Sequence, residues 1–210
     1  MSKKQRIIIF CLKAFIFAVA TYCLLRFLFD PGYGRYGGFI AGYIFLFGPQ
    51  ILKLFGGEAP ARPQIVFFAF VIISLDFGIC FDFYKYVPMF DKFVHCLSGI
   101  IAALAAHYIM QFYGADKASR NFRVFFMLAF SLYASAAWEL FEFGADRLLH
   151  QNMQQLTSIG LNDTMLDMLF TYIGGHIGAV IAMAPWMDKF FLEEGESEEK
   201  RKVANKHTTK

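Results

Sequence analysis

Six apolar stretches, each close to the length that crosses a lipid bilayer, dominate this sequence. A transmembrane helix needs about 20 mostly apolar residues, and only 18% of the 210 residues here are charged. The segments between the stretches are short, which leaves no room for a separate soluble domain. We therefore predict an all-α, polytopic membrane bundle of about six transmembrane helices, over approximately residues 7–29, 37–55, 64–84, 92–112, 122–145 and 164–187.

The predicted membrane domain covers residues 1–188, and a charged tail follows it. Residues 189–210 carry mixed acidic and basic side chains with few apolar ones, a composition that predicts a disordered cytoplasmic tail. Because its charges are mixed rather than uniformly basic, the tail does not indicate nucleic-acid binding. The sequence predicts no particular oligomeric state.

The basic residues predict that both termini face the cytoplasm. With the N-terminus inside, 14 Lys and Arg residues fall on the inner side of the predicted spans and five on the outer side. Positively charged residues favour the cytoplasmic side of a membrane. We therefore expect a multi-pass protein of the plasma membrane.

Three ionisable pairs lie near the outer ends of the last three predicted helices. The members of each pair are three or four residues apart, which places both on one helix face. Charged groups at membrane depth are costly and usually line a bundle interior or a water-filled cavity, so we expect the pairs to converge. They are Asp91/His95, Glu139/Glu142 and Asp163/Asp167.

Some residues at this level have ordinary structural interpretations. Asp163 could cap the N-terminus of the last helix, and the helix dipole would stabilise Asp91 at the start of the fourth. Lys92 could anchor its helix at the interface. The aromatic residues Tyr84 and Trp138 need no role beyond interface anchoring.

Glu139 and Glu142 are harder to explain in this way. They lie toward the C-terminal end of their helix, where the dipole disfavours negative charge. At a rise of 1.5 Å per residue, Glu139 is roughly 9 Å from the end of its apolar stretch. A carboxylate at that depth needs a proton, a cation, a base or water. We therefore predict that this pair is functional.

Together the pairs predict an outward-facing acidic site with one histidine. Such a site suits a divalent ion such as Mg²⁺, Mn²⁺ or Zn²⁺, and a histidine or a buried carboxyl can act as a general acid or base. The predicted catalytic residues are Asp91, His95, Glu139, Glu142 and Asp167. The predicted metal ligands are His95, Glu139, Glu142, Asp163 and Asp167.

The motifs that contain these pairs resemble a known family. They are Asp91-Lys92-Phe93-Val94-His95, Trp138-Glu139-Leu140-Phe141-Glu142, and Asp163-Thr164-Met165-Leu166-Asp167-Met168 followed by Gly174-Gly175. This pattern resembles the YjdF-like family of bacterial inner-membrane proteins and, more distantly, the VanZ-like proteins. The resemblance covers about residues 76–180 and implies a role in the cell envelope.

Three kinds of function stay open at this point. The first is an enzyme that acts, with a divalent metal ion, on a membrane lipid or a lipid-linked wall precursor, with the loop of residues 148–162 as a lid. The second is a proton- or cation-coupled transporter, although the chain lacks the inverted repeat that many transporters contain. The third is an accessory scaffold whose acidic residues share protons or hold a structural ion. No nucleophile motif or glycine-rich phosphate loop selects among them.

Overall fold

A computed structural model describes residues 1–30, 36–54, 59–149, 161–187 and 190 of the chain. Every regular element within these ranges is helical, which confirms the predicted all-α class. The α-helices are α1 (Lys3–Phe29), α2 (Tyr36–Phe45), α3 (Gly48–Leu54), α4 (Ala61–Val71), α5 (Phe83–Tyr86), α6 (Phe90–Phe112), α7 (Arg120–Leu149) and α8 (Leu161–Ala182). A π-helical segment (Ile72–Cys80) continues α4, and a 3₁₀ turn (Ala115–Lys117) joins α6 to α7.

Five of the described helices are long and apolar enough to cross a membrane. They are α1, α4 with its π-helical continuation, α6, α7 and α8. These helices correspond to five of the six predicted stretches, which confirms a polytopic bundle. The number of spans and the inward orientation of both termini stay predictions.

The second predicted span forms two short helices instead of one. α2 ends at Phe45 and α3 begins at Gly48, with a turn between them. Pro49 has no amide hydrogen and also restricts the residue before it, so the helix cannot continue unbroken here. The prediction of a single helix over residues 37–55 is therefore wrong, although a kink near Pro49 was expected.

Contacts with α4 and its π-helical continuation show that α2 and α3 together still run along the bundle, from one end of it toward the opposite end. Gly38 packs beside Ile79, near the end of the π-helical segment. Gly48 packs beside Phe67, in the middle of α4. The chain between residues 38 and 48 is therefore antiparallel to α4. This direction retains the up-and-down alternation that six crossings would require.

The helices form two groups with separate cores. The first group contains α1, α2 and α4, and its cores include Ile16, Phe68 and Cys23. The second group contains α6, α7 and α8, and its core includes Ala103 and Met127. α6 and α8 are parallel and form the most extensive contact between any two helices in the described part of the chain. Their N-terminal ends therefore meet the C-terminal half of α7.

Glycine residues allow α6 and α8 to approach each other closely. A Cβ atom at Gly99 would overlap the carbonyl group of Thr171, and one at Gly174 would overlap the carbonyl group of Cys96. Small residues permit this kind of backbone approach between membrane helices. This close packing fixes the axial offset between α6 and α8, and therefore which residues in their first turns lie side by side.

Two predicted segments fall largely outside the described residues. Only the ends of the proposed lid at 148–162 are described, and only Phe190 of the tail at 189–210. The last long helix ends at Ala182, five residues before the predicted end at 187. The boundary of the membrane domain at residue 188 stays a prediction.

Candidate functional site

A lysine lies at the centre of the acidic cluster. Lys92 Nζ donates hydrogen bonds to Asp163 Oδ1 and Asp167 Oδ1, each at 2.6 Å. It also donates to Asp91 Oδ2 at 2.8 Å. Because Lys92 is only 8% exposed, its interpretation as an interface anchor is wrong. A buried charge is tolerated when it is paired and hydrogen-bonded, and three aspartates supply that pairing here.

His95 lies beside these ion pairs and connects them to the bundle interior. Its Nε2 atom is 3.6 Å from both Asp91 Oδ1 and Asp167 Oδ1. Its Nδ1 atom is 3.4 Å from Thr171 Oγ1, which accepts a hydrogen bond from Ser135 Oγ at 3.3 Å. Side chains from α6, α7 and α8 therefore hold the imidazole ring between two carboxyl groups and a hydroxyl group.

The two aspartates of α8 face α6 and are almost fully buried. α8 begins at Leu161, so Asp163 is the third residue of the helix and does not cap it. The capping interpretation of Asp163 is therefore wrong. Asp163 and Asp167 are one turn apart, and each accepts a hydrogen bond from Lys92. The positive end of the α8 dipole also favours negative charge in this turn.

Glu139 extends from α7 toward the same cluster. It is buried, and its carboxyl group lies beside Thr164 of α8. Asp91, Asp163 and Lys92 are within electrostatic range of it. The structure thus brings together members of all three ionisable pairs that the sequence singles out.

Glu142 lies one turn further along α7 and is oriented by a tryptophan. Trp138 Nε1 donates a hydrogen bond to Glu142 Oε1 at 2.8 Å. The Trp138 ring also packs against Phe45 of α2, with 6.5 Å between ring centroids. Trp138 therefore links the acidic cluster to the first group of helices. Sequence reasoning assigned it only an anchoring role.

Tyr84 is a second aromatic residue whose role sequence reasoning missed. Burial and the nearby carboxyl groups of Asp91, Glu142 and Asp167 raise the pKa of Tyr84 well above its usual range. The phenol is therefore neutral at any ordinary pH and can act as a hydrogen-bond donor. Because α5 is remote from α7 and α8 in sequence, helical spacing could not reveal this proximity.

The segment that carries Tyr84 has an unusual backbone. Asp82 and Met89, which flank it, adopt left-handed conformations with φ of 65° and 61°. Such conformations are costly for residues other than glycine and are often found where a side chain is positioned for function. The Tyr84 ring packs on Gly78, where a Cβ atom would overlap it, and against Phe90 at 5.4 Å between centroids.

Three residues of the cluster are arranged as metal ligands could be. One ligand atom each from Asp91, His95 and Asp167 lies within 4.8 Å of the other two. Ligands about 2.1 Å from a tetrahedral ion are roughly 3.4 Å apart, close to the 3.6 Å between His95 Nε2 and either carboxyl oxygen.

The predicted set of metal ligands is brought together only in part. His95 and Asp167 belong to the group of potential ligands, and Asp91, which was predicted to be catalytic, completes it. Asp163 accepts a hydrogen bond from Lys92, as Asp91 and Asp167 do, but it does not belong to the group of potential ligands. Glu139 and Glu142 surround the group without belonging to it.

Comparison with known proteins shows the family of the chain. A family model described as "Predicted membrane protein (DUF2238)" matches residues 13–188. The chain is also similar to an uncharacterized protein of Thermotoga maritima, with 25% identity over 151 residues that cover 69% of this chain and 74% of that protein. No solved structure matches the chain significantly. Because the family model covers most of the chain, with four of the five long helices in full and all three ionisable pairs, this chain belongs to the DUF2238 family of predicted membrane proteins.

Proposed function

We propose that this membrane protein is a metal-dependent enzyme of the plasma membrane, acting at an outward-facing site on an envelope lipid or a lipid-linked wall precursor. The observation that carries the proposal is the group formed by Asp91, His95 and Asp167, with ligand atoms within 4.8 Å of one another. The resemblance to the YjdF-like proteins is consistent with a role in the envelope. The more distant resemblance to the VanZ-like proteins stays a prediction.

The charge of the cluster supports a divalent cation as cofactor. Three aspartates surround one lysine, so the group carries a net charge of −2 whenever all three carboxyl groups are ionised and Lys92 is protonated. Uncompensated charge in a low-dielectric interior costs several kcal/mol per ion. A divalent cation held by His95 and two of these carboxylates would offset that charge, and it would share Asp167 Oδ1 with Lys92.

The residues around the potential ligands suit acid–base chemistry. When bound, a divalent ion would polarise a phosphoryl or carbonyl oxygen of the substrate. Glu139 is buried next to the ligands, where it can hold or release a proton. Thr171 fixes the orientation of the His95 ring, and the neutral Tyr84 can donate a hydrogen bond to an anionic group of the substrate.

An aromatic surface next to the site supports a lipid substrate. The rings of Phe77 and Phe83 are 5.4 Å apart, and Phe83 contacts Phe90 at the same distance. Phe81 and Phe93 extend this row and are 45% and 54% exposed. The row leads to Asp91 at the start of α6. An acyl chain could lie along it while the head group reaches the acidic site.

Transport of protons or cations is a second candidate, favoured by the hydroxyl groups that continue inward from His95. Thr171 and Ser135 follow the imidazole, and Ser131 donates a hydrogen bond to the carbonyl oxygen of Gly99 at 3.2 Å. Such a row of polar groups could pass a proton into the bundle.

An accessory scaffold is a third candidate. It draws support from Lys92, which already pairs with three aspartates and could serve to hold α6 against α8.

Turnover of lipid substrates by the purified protein tests the proposal. Envelope lipid extracts and lipid-linked precursors are presented with and without divalent ions, and products are identified by mass spectrometry. We expect turnover that requires a divalent ion and is lost in His95→Ala and Asp167→Asn. Asp116→Asn, in the 3₁₀ turn at the opposite end of α6, is the matched control and should retain it.

Two results would contradict the enzyme proposal. Turnover that a chelator leaves unchanged would exclude the role of the metal ion. A flux of protons or cations into liposomes that depends on Ser135, with no lipid product, would favour transport instead.

A further inference from the structure

Asp76 lies apart from the acidic site, in the group formed by α1, α2 and α4. It is the fifth residue of the π-helical segment and is only 1% exposed. Its Oδ2 atom is buried and has no hydrogen-bond partner among the residues that the structure describes. The enzyme proposed above does not use this carboxyl group.

Three weakly acidic side chains lie in the neighbourhood of Asp76. Cys23 of α1 is completely buried and lies within electrostatic range of the carboxyl group. Cys80, one turn further along the π-helical segment, packs with Cys23 and with Phe39 of α2. The phenol of Tyr84, which packs two residues away on Gly78, is neutral. None of these groups brings a positive charge.

Ionisable side chains on the surrounding helices are engaged elsewhere. Lys13 of α1 lies over a phenylalanine ring, and Lys85 of α5 lies over a tyrosine ring. Lys92 of α6 is surrounded by the aspartates of the acidic site, and the hydroxyl group of Tyr43 on α2 bonds to that of Thr21. Within the described part of the chain, no lysine, arginine or histidine forms an ion pair with Asp76.

The backbone around Asp76 is a separate reason to consider it a functional position. The amide of Phe81 donates to the carbonyl oxygen of Asp76 at 2.9 Å, the five-residue spacing of a π-helix. This geometry is rare and occurs frequently at functional sites. Here it extends over nine residues, with Asp76 at its centre.

We infer that Asp76 is a proton-binding site, separate from the acidic site, and that its side chain is the neutral carboxylic acid in the folded protein. A buried carboxylate without a cation or a hydrogen-bond donor on each oxygen is strongly destabilised, and such a group takes up a proton instead. Release leaves the carboxylate and one free proton, and uptake restores the acid. The site lies about one turn from Cys80, at the same end of the bundle as the acidic site.

Infrared spectroscopy of the protein in lipid tests this inference, because a protonated carboxyl group has its own carbonyl stretching band. Asp76→Asn should remove one such band at neutral pH, and the band should shift when the solvent is changed to D₂O. Asparagine has the size and neutrality of the acid, so the variant should keep the thermal stability of the wild type. Asp116→Asn is the matched control and should leave the band unchanged.

Identical carboxylic acid bands in the wild type and in Asp76→Asn would overturn the inference. If the variant does not fold, the wild type is measured with ¹³C-labelled aspartate carboxyl groups. A protonated aspartate band at neutral pH that the wild type shows and Asp76→Glu lacks would then support the inference, and identical bands in the two proteins would overturn it. Neither result depends on metal binding, because Asp76 is not among the potential ligands.

Discussion

Lys92 allows three aspartates to lie together in the interior of the second helix group. Removing one partner from a buried ion pair typically costs about 3–5 kcal/mol, because the remaining charges lose their compensation. We expect Lys92→Met to lower the free energy of unfolding by an amount in this range, measured by denaturant unfolding in detergent. Lys85→Met, at an exposed position, should change it by less than about 0.5 kcal/mol. Equal effects of the two variants would contradict the role given to Lys92.

Tyr84 should make the stability of the protein depend on pH in the alkaline range. Its pKa is raised in the folded state, whereas an unfolded tyrosine titrates near pH 10. The folded protein therefore holds a proton that the unfolded chain loses, so the contribution of Tyr84 to stability is present below about pH 10 and falls as the pH rises further.

The Tyr84→Phe variant should lose this dependence. Melting temperatures measured at about pH 9 and about pH 11 should differ less in Tyr84→Phe than in the wild type. Tyr133→Phe, at a position 70% exposed, should behave as the wild type does. A wild-type difference that persists in Tyr84→Phe would show that other groups cause it.

The parts of the site that could be predicted from the sequence are those that depend only on residue spacing within one helix. Asp91 and His95 share a face of one helix, as do Asp163 and Asp167, and that face could be recognised from the sequence. The central position of Lys92 depends on the axial offset between α6 and α8. Residue spacing within one helix does not show that offset. The same reason applies to Tyr84, which reaches the site from a different part of the chain.

Among the helices, the crossing of α6 and α8 depends on the absence of side chains at its glycines. Alanine at Gly99 or Gly174 would place a Cβ atom against a backbone carbonyl of the opposite helix. Overpacking of this kind typically costs about 1–3 kcal/mol. We expect Gly99→Ala and Gly174→Ala to be destabilised by at least this amount in denaturant unfolding.

Gly144 provides the control for these two variants. It lies on α7, and a Cβ atom there would meet nothing within 4 Å. Since alanine favours a helix over glycine by about 1 kcal/mol, Gly144→Ala should be neutral or stabilised. A loss of stability in all three variants would mean that the glycines matter for a reason other than helix contact.

Helix lengths were easier to predict than helix interruptions. The apolar stretches have bilayer length, so α1, α6, α7 and α8 were expected close to their observed bounds. The π-helical segment and the end of its helix at Cys80 were not expected, because residue composition does not show which carbonyl group each amide binds. The interruption before Pro49 could be anticipated as a kink, but not as a turn that separates α2 from α3.

For the whole molecule, the predicted orientation can be tested by labelling. With both termini inside, the ends of α6 near Tyr86 and near Asp116 lie on opposite sides of the membrane. In a cysteine-free background, Tyr86→Cys should react with a membrane-impermeant thiol reagent added to intact cells. Asp116→Cys should react only after the cells are opened. The reverse pattern would contradict the orientation and, with it, an outward-facing site.

The metal content of the purified protein is the most direct measurement of the central proposal. The protein is loaded with Mn²⁺ or Zn²⁺ near neutral pH, since ligands must be deprotonated to bind, and free ions are removed before elemental analysis. We predict one divalent ion per chain in the wild type and in Asp116→Asn, and its loss in His95→Ala and Asp167→Asn. A wild-type protein that is folded and retains no divalent ion would contradict the proposal that Asp91, His95 and Asp167 form a metal site.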